Sequence, residues 1–196
     1  MTATDVRPQP LAPPATATPA ASTERRPIGG AMTIATLLWI AAVAVASNLT
    51  VSDAVHRAAL FVHLASLIAG FGAVLVSDFY GVLWLTGRRR LGHLLSLHHA
   101  IGPMIWLGLI GLVGSGVLLS PNPTIPRTAL KMVLVLIATL NGIAAGRQID
   151  RLKQIPPSAG PHEVPRSLVA TTMVAGGISQ ACWWGATLVG FLSTTS

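Results

Sequence analysis

Long runs of apolar residues, separated by short polar breaks, dominate the chain from residue 31 onward. Five of them run approximately over Ala31–Val51, Arg57–Thr86, Leu91–Leu119, Thr128–Gly146 and Ser167–Leu192. Each comes close to the about 20 residues that a helix needs to cross the hydrocarbon core of a bilayer. None alternates strictly between apolar and polar positions, which argues against a membrane barrel. The pattern predicts an all-α integral membrane protein with five transmembrane helices. The last four, over 57–192, are expected to form an antiparallel bundle. Residues 1–30 break the pattern: rich in Pro, Ala and Thr, they are too poor in large apolar groups to fold alone, and read as a disordered cytoplasmic tail.

The first helix, over 31–51, has two readings. Arg25-Arg26, an apolar run and Ala44-Val45-Ala46 before Ser47 also resemble a secretory signal with its cleavage site. The tail ahead of the basic pair is long for a signal, and more spans follow, which favours an uncleaved helix.

Charge sets the expected topology. Arg25 and Arg26 precede the first span, Arg88, Arg89 and Arg90 join the second and third, and Arg147, Arg151, Lys153 and Arg166 lie between the fourth and fifth. The other two links hold only Arg57 and Arg127. Cytoplasmic loops collect Lys and Arg, so the N-terminus is expected in the cytoplasm and the C-terminus outside, in a bacterial-type inner membrane.

Composition agrees: 52% of residues are hydrophobic and only 10% charged, against about 25% charged in soluble domains. A net charge of +7 would point to nucleic acid in a soluble protein. Here the basic residues fall in short clusters beside apolar spans, so no nucleic-acid partner is expected and the lipid bilayer is the first partner. The single cysteine, Cys182, excludes an intramolecular disulfide, and no Cys-x-x-Cys-His motif is present for covalent haem attachment. Gly-x-Ser-x-Gly, His-Glu-x-x-His and phosphate-binding glycine loops are also missing, which sets aside the common hydrolases.

The informative residues are the ionisable ones inside the spans: His63, Asp78, His98, His99 and Lys131. Such a residue at bilayer depth costs about 2.5–3.5 kcal/mol even on lenient scales, so it needs a partner, water or a ligand. His63 and Lys131 each enter from the outer end of a span and reach similar depth. Gly114 and Gly116 lie at the same level, where small residues leave room for a flat ligand or let helices approach. His63 could ligate haem or another metal, or simply hydrogen-bond to a neighbouring helix. Lys131 could serve a ligand or snorkel to headgroups.

Asp78, His98, His99 and Asn141 fall toward the inner side. They read either as a proton-linked Asp–His unit or as a structural polar cluster, with Pro103 expected to kink the helix beside His99. His56, His93 and His162 fit surface positions. His63 and His98 differ in depth by about 20 Å or more on helix rise, so they cannot ligate one iron. His63, Ser66, Gly70, Val74 and Asp78 share one stripe of the second span. The stripe fits a path across the membrane and tight packing equally well.

Phe61-Val62-His63-Leu64, Gly114-Ser115-Gly116-Val117-Leu118-Leu119, and Ala129-Leu130-Lys131-Met132-Val133-Leu134 running on to Asn141-Gly142 together resemble the four-helix core of the copper-resistance protein D family. Membrane protoporphyrinogen oxidases share a similar arrangement. The resemblance covers roughly 57–192 through short motifs. It implies haem b or another porphyrin at positions matching His63 and Lys131, with copper as the alternative. Such families often carry Trp-x-Gly about two turns after the histidine, where this chain has Gly70-Phe71-Gly72, so oxidase activity is not carried over. The expected function is thus cofactor binding near the outer face. The rivals are a transporter or copper-uptake component, and a non-catalytic subunit packed on a membrane-protein partner or on a second copy of itself. Methionine-rich outer segments, which would favour copper uptake, are lacking: Met104, Met132 and Met173 are scattered within spans.

Overall fold

A computed structural model of the chain describes residues 28–192. Residues 1–27, which hold nearly all of the tail expected to be disordered, lie outside the described residues. The described chain is all-helical: α1 (Ile28–Ala46), α2 (Asp53–Leu85), α3 (Leu91–Leu118), α4 (Pro126–Leu152) and α5 (Arg166–Leu192), with a short 3-10 turn at Pro161–Glu163 before α5. The helices α1 to α4 are each long and apolar enough to cross a membrane. Their outward faces are apolar, with Phe61, Ile68, Leu107 and Ile110 all well exposed, as lipid-facing positions require.

The boundaries depart from the apolar runs where polar groups decide. The first helix begins at Ile28, inside the expected tail, and stops at Ala46, five residues before the apolar run ends at Val51. The Asn48 side-chain amide donates to the Ala44 carbonyl, an acceptor that the helix end leaves open, and the Ser47 hydroxyl donates to the Val43 carbonyl beside the Ser47 backbone N–H. At its other extreme α4 runs past Gly146 to Leu152. Hydropathy marks where the membrane ends, whereas Arg147, Gln148 and Arg151 are good helix formers that let the helix continue. Pro103 does not interrupt α3, which is helical on both sides of it.

Packing divides the molecule into two hairpins, α2 with α3 and α4 with α5, while α1 lies across α3 and α4. The first hairpin turns through a Schellman motif. Gly87 adopts φ 71°, the Gly87 N–H donates to Trp84 O at 2.9 Å, and the Arg88 N–H donates to Leu83 O at 2.9 Å. Midway along, α2 and α3 meet backbone to backbone: a Cβ built on Gly70 would sit 3.0 Å from the Gly108 Cα. Across the hairpins Phe71 stacks on Trp183, with centroids 5.6 Å apart and planes 1° from parallel, and meets the edge of Trp184 at 4.9 Å.

The end of the bundle that carries the α2–α3 turn holds a second core. Trp84, Leu91, Leu94, Leu152, Ala159, Val164 and Leu168 are buried together there. The link between α4 and α5 folds under the α2–α3 turn and is pinned by backbone bonds: Gly92 N–H to Pro157 O at 2.8 Å and Leu91 N–H to Ala159 O at 3.3 Å. The Trp84 indole N–H also donates to Ala159 O, at 3.3 Å, and the Arg90 guanidinium donates to Ser158 O at 2.9 Å. Trp84 is only 2% exposed, and truncating such a side chain to alanine costs about 3–5 kcal/mol. In Trp84→Ala the link is therefore expected to detach and become sensitive to trypsin at Lys153. Limited proteolysis of folded protein checks this, and unchanged resistance would show that the link docks without the tryptophan.

Candidate functional site

His63 lies in α2 and faces α3, because the antiparallel hairpin sets positions of the two helices opposite one another in rungs. Gly70 meets Gly108, Ser66 meets Gly111, and His63 meets Ser115. A Cβ on Gly111 would fall on the Ser66 hydroxyl, so the helices stay close right up to the histidine. His63 Nδ1 and Ser115 Oγ are 3.0 Å apart, and Ser115 Oγ is 2.5 Å from the carbonyl of Gly111, one turn back in the same helix.

One histidine tautomer satisfies every group in this chain. A serine hydroxyl has one hydrogen, and a carbonyl can only accept. Ser115 therefore donates to Gly111 and accepts from His63, so the proton is on Nδ1. In the neutral ring Nε2 then carries the free lone pair. Ser115 is buried at 5% exposure, which holds the relay away from water, while His63 itself is half-buried.

Gly116 adjoins the ring: a Cβ built there would sit 3.8 Å from His63 Cε1, within ordinary contact. Lys131, half-buried near the start of α4, lies within electrostatic range of His63. Gly114 points elsewhere. It lines an apolar cavity of about 340 Å3 between α1, α3 and α4, with Trp39 and Trp106 among the walls. Of the outer set, the structure brings His63 and Gly116 together and places Gly114 against the cavity on the α1 side of α3. Among the described residues no three His, Cys, Asp or Glu side chains group to hold a metal ion, so His63 offers a single ligand.

The inner residues are distributed over separate contacts. Asp78 Oδ2 accepts from the Gln180 amide of α5 at 2.6 Å, and no hydrogen bond or ion pair joins it to His98 or His99. His98 is half-buried and His99 exposed, both on α3. The Asn141 amide donates to Ala175 O at 2.8 Å, tying α4 to α5. Two partners went unread in the sequence. Ser115 lies within the glycine-rich end of α3, and Gln180 is uncharged, so neither stands out by charge. An amide in the middle of an apolar run was the available signal for Gln180.

The stripe of α2 faces the interior, and its middle is filled. Gly70 and Val74 are buried, Gly70 against Gly108 and the Trp183 ring, with a Cβ on Gly70 reaching within 3.0 Å of Trp183 Cη2. Compared with protein-family models, with curated proteins and with the solved structures, the chain matches none of them.

Proposed function

We propose that this chain is an integral membrane protein that crosses the bilayer five times and binds a haem-type tetrapyrrole near its outer face through His63. Four apolar helices and their exposed apolar faces support the membrane reading. As a fifth span, α5 is supported by its 27 residues and by its packing along α4. The alternation of basic links supports a topology with the N-terminus in the cytoplasm and the C-terminus outside a bacterial-type inner membrane.

The observation that carries the cofactor reading is the His63–Ser115–Gly111 chain. Ligating histidines almost always donate their second ring N–H to a fixed acceptor, which orients the ring and strengthens the ligand. His63 has that arrangement, with Nε2 left for iron. A tetrapyrrole brings four equatorial nitrogens, so one histidine is enough to hold it, whereas a bare copper ion needs further ligands that the described residues do not group there. Lys131 would pair with a propionate, and Gly116 leaves the ring edge open. A haem held in this way supplies one-electron redox chemistry. The filled middle of the α2 stripe favours this reading over a transport path.

The test is the visible spectrum of the detergent-purified full chain, titrated with haem, oxidised and then dithionite-reduced. A saturable Soret band that shifts on reduction is the expected result. A spectrum identical to haem in empty micelles would overturn the reading.

A further inference from the structure

Asp78 borders a cavity on the inner half of the bundle, on the far side of the Gly70–Gly108 contact from His63. The cavity measures about 240 Å3, and its walls are mostly apolar, among them Val82, Trp84, Leu94, Val169 and Met173. That is near the small end of ligand pockets, which span about 300–1,000 Å3. Gly81 and Gly177 line it too, and a Cβ built on either would touch nothing within 4 Å, so the space is open rather than tightly filled.

The carboxyl group at its edge is unbalanced. Gln180 occupies Oδ2, while Oδ1 is left facing the Gly176 backbone, where a Cβ would lie 3.6 Å away. Among the described residues no Lys, Arg or His forms an ion pair with Asp78; the ion pair found is the exposed Lys153–Asp150. Asp78 is seven residues inside the end of α2, about 10 Å along the axis. A half-buried carboxyl group at that depth must either hold a proton or meet a positive partner.

An anionic oxygen at the rim of an apolar cavity is complementary to one kind of ligand: a single positive head on a small apolar body. We propose that this cavity binds an ammonium-bearing amphiphile, with its head on Asp78 Oδ1 and its body against Trp84, Val169 and Met173. Gln180 holds the carboxyl in place through Oδ2, so the cation meets a preset oxygen. The head comes either from a free lipophilic amine or from a phospholipid ammonium group near the inner membrane surface. The site shares no residue with the His63 site and stands apart from the haem reading.

Equilibrium dialysis of the full chain in a nonionic maltoside tests this, using benzyltrimethylammonium and its uncharged analogue neopentylbenzene, with partition into empty micelles subtracted. Wild type is expected to prefer the cation by about tenfold or more, as charge-assisted contacts allow. Asp78→Asn keeps shape and loses charge, and should erase that preference. Gly81→Leu fills the cavity while keeping the carboxyl group in the chain and should weaken binding of both compounds, which keeps the proposal testable if Asp78→Asn misfolds. Equal affinity for cation and hydrocarbon in wild type, a preference that survives in folded Asp78→Asn, or undiminished binding in Gly81→Leu overturns the proposal. Displacement of bound benzyltrimethylammonium by added phosphatidylethanolamine identifies a headgroup as the occupant, and persistence identifies a free amine; either result upholds the site.

Discussion

Replacing His63 with glycine is expected to abolish the Soret band of haem-loaded protein, and added imidazole is expected to restore it. The rescue separates loss of a ligand from loss of fold, because free imidazole can occupy the space only if the surrounding helices are intact. Ser115→Ala removes the acceptor for the Nδ1 proton while leaving Nε2 in place. Changes of this kind outside the ligand shell typically cost about 10–100-fold in affinity, so Ser115→Ala should weaken haem binding by that factor and preserve the band at saturation. Spectral titration reads both numbers. Should Ser115→Ala bind as tightly as wild type, the relay through Gly111 would not be what orients the imidazole.

The second large effect concerns the waist of the first hairpin. A Cβ on Gly108 would overlap the Gly70 Cα, and it would stand 2.7 Å from Gly70 N and 2.9 Å from the Ser66 carbonyl. These are backbone atoms that cannot rotate away, so any side chain at 108 must drive α2 and α3 apart. Overpacking usually costs about 1–3 kcal/mol, and separating two backbones belongs at or above the upper end. Gly108→Leu is expected to lower the thermal midpoint in detergent by many degrees and to abolish haem binding as well, since the same hairpin carries the His63–Ser115 rung. Gly72→Ala is the control, with nothing within 4 Å of its new Cβ, and should leave the midpoint unchanged. Size-exclusion profiles after a temperature ramp distinguish them; equal midpoints would mean that the hairpin tolerates a wider separation.

The helices were legible in the chain because burying unpaired backbone in lipid is costly, so a long apolar run has one stable local form. Helix ends were less legible where hydropathy and helix propensity part company, as at Ala46 and Leu152. One neighbour of His63 could be read in outline: Gly116 lies beside its ring, as the matching positions along the two spans implied. Gly114 does not, because depth constrains position along the axis and leaves rotation about it undetermined. Two residues along α3, about 200° at helical pitch, carry Gly114 to the α1 side.

Partner choice followed the same division. Asp78, His98, His99 and Asn141 share a level of the membrane, yet Asp78 pairs with Gln180 and Asn141 with the Ala175 carbonyl. The docking of residues 153–165 beneath the first hairpin had no counterpart in any hydropathy pattern, since its pins are mostly backbone groups available in every sequence. By itself, then, the sequence determined the all-helical class, the approximate extent of the helices and the position of each ionisable group along its helix, because those follow from local pattern and helical rise. Tertiary structure alone decided which faces meet, that the α2 stripe is closed at Gly70, that Ser115 orients His63, and that Asp78 borders a cavity without a cation. Those outcomes depend on helix rotation and close backbone approach, which arise only when distant segments pack.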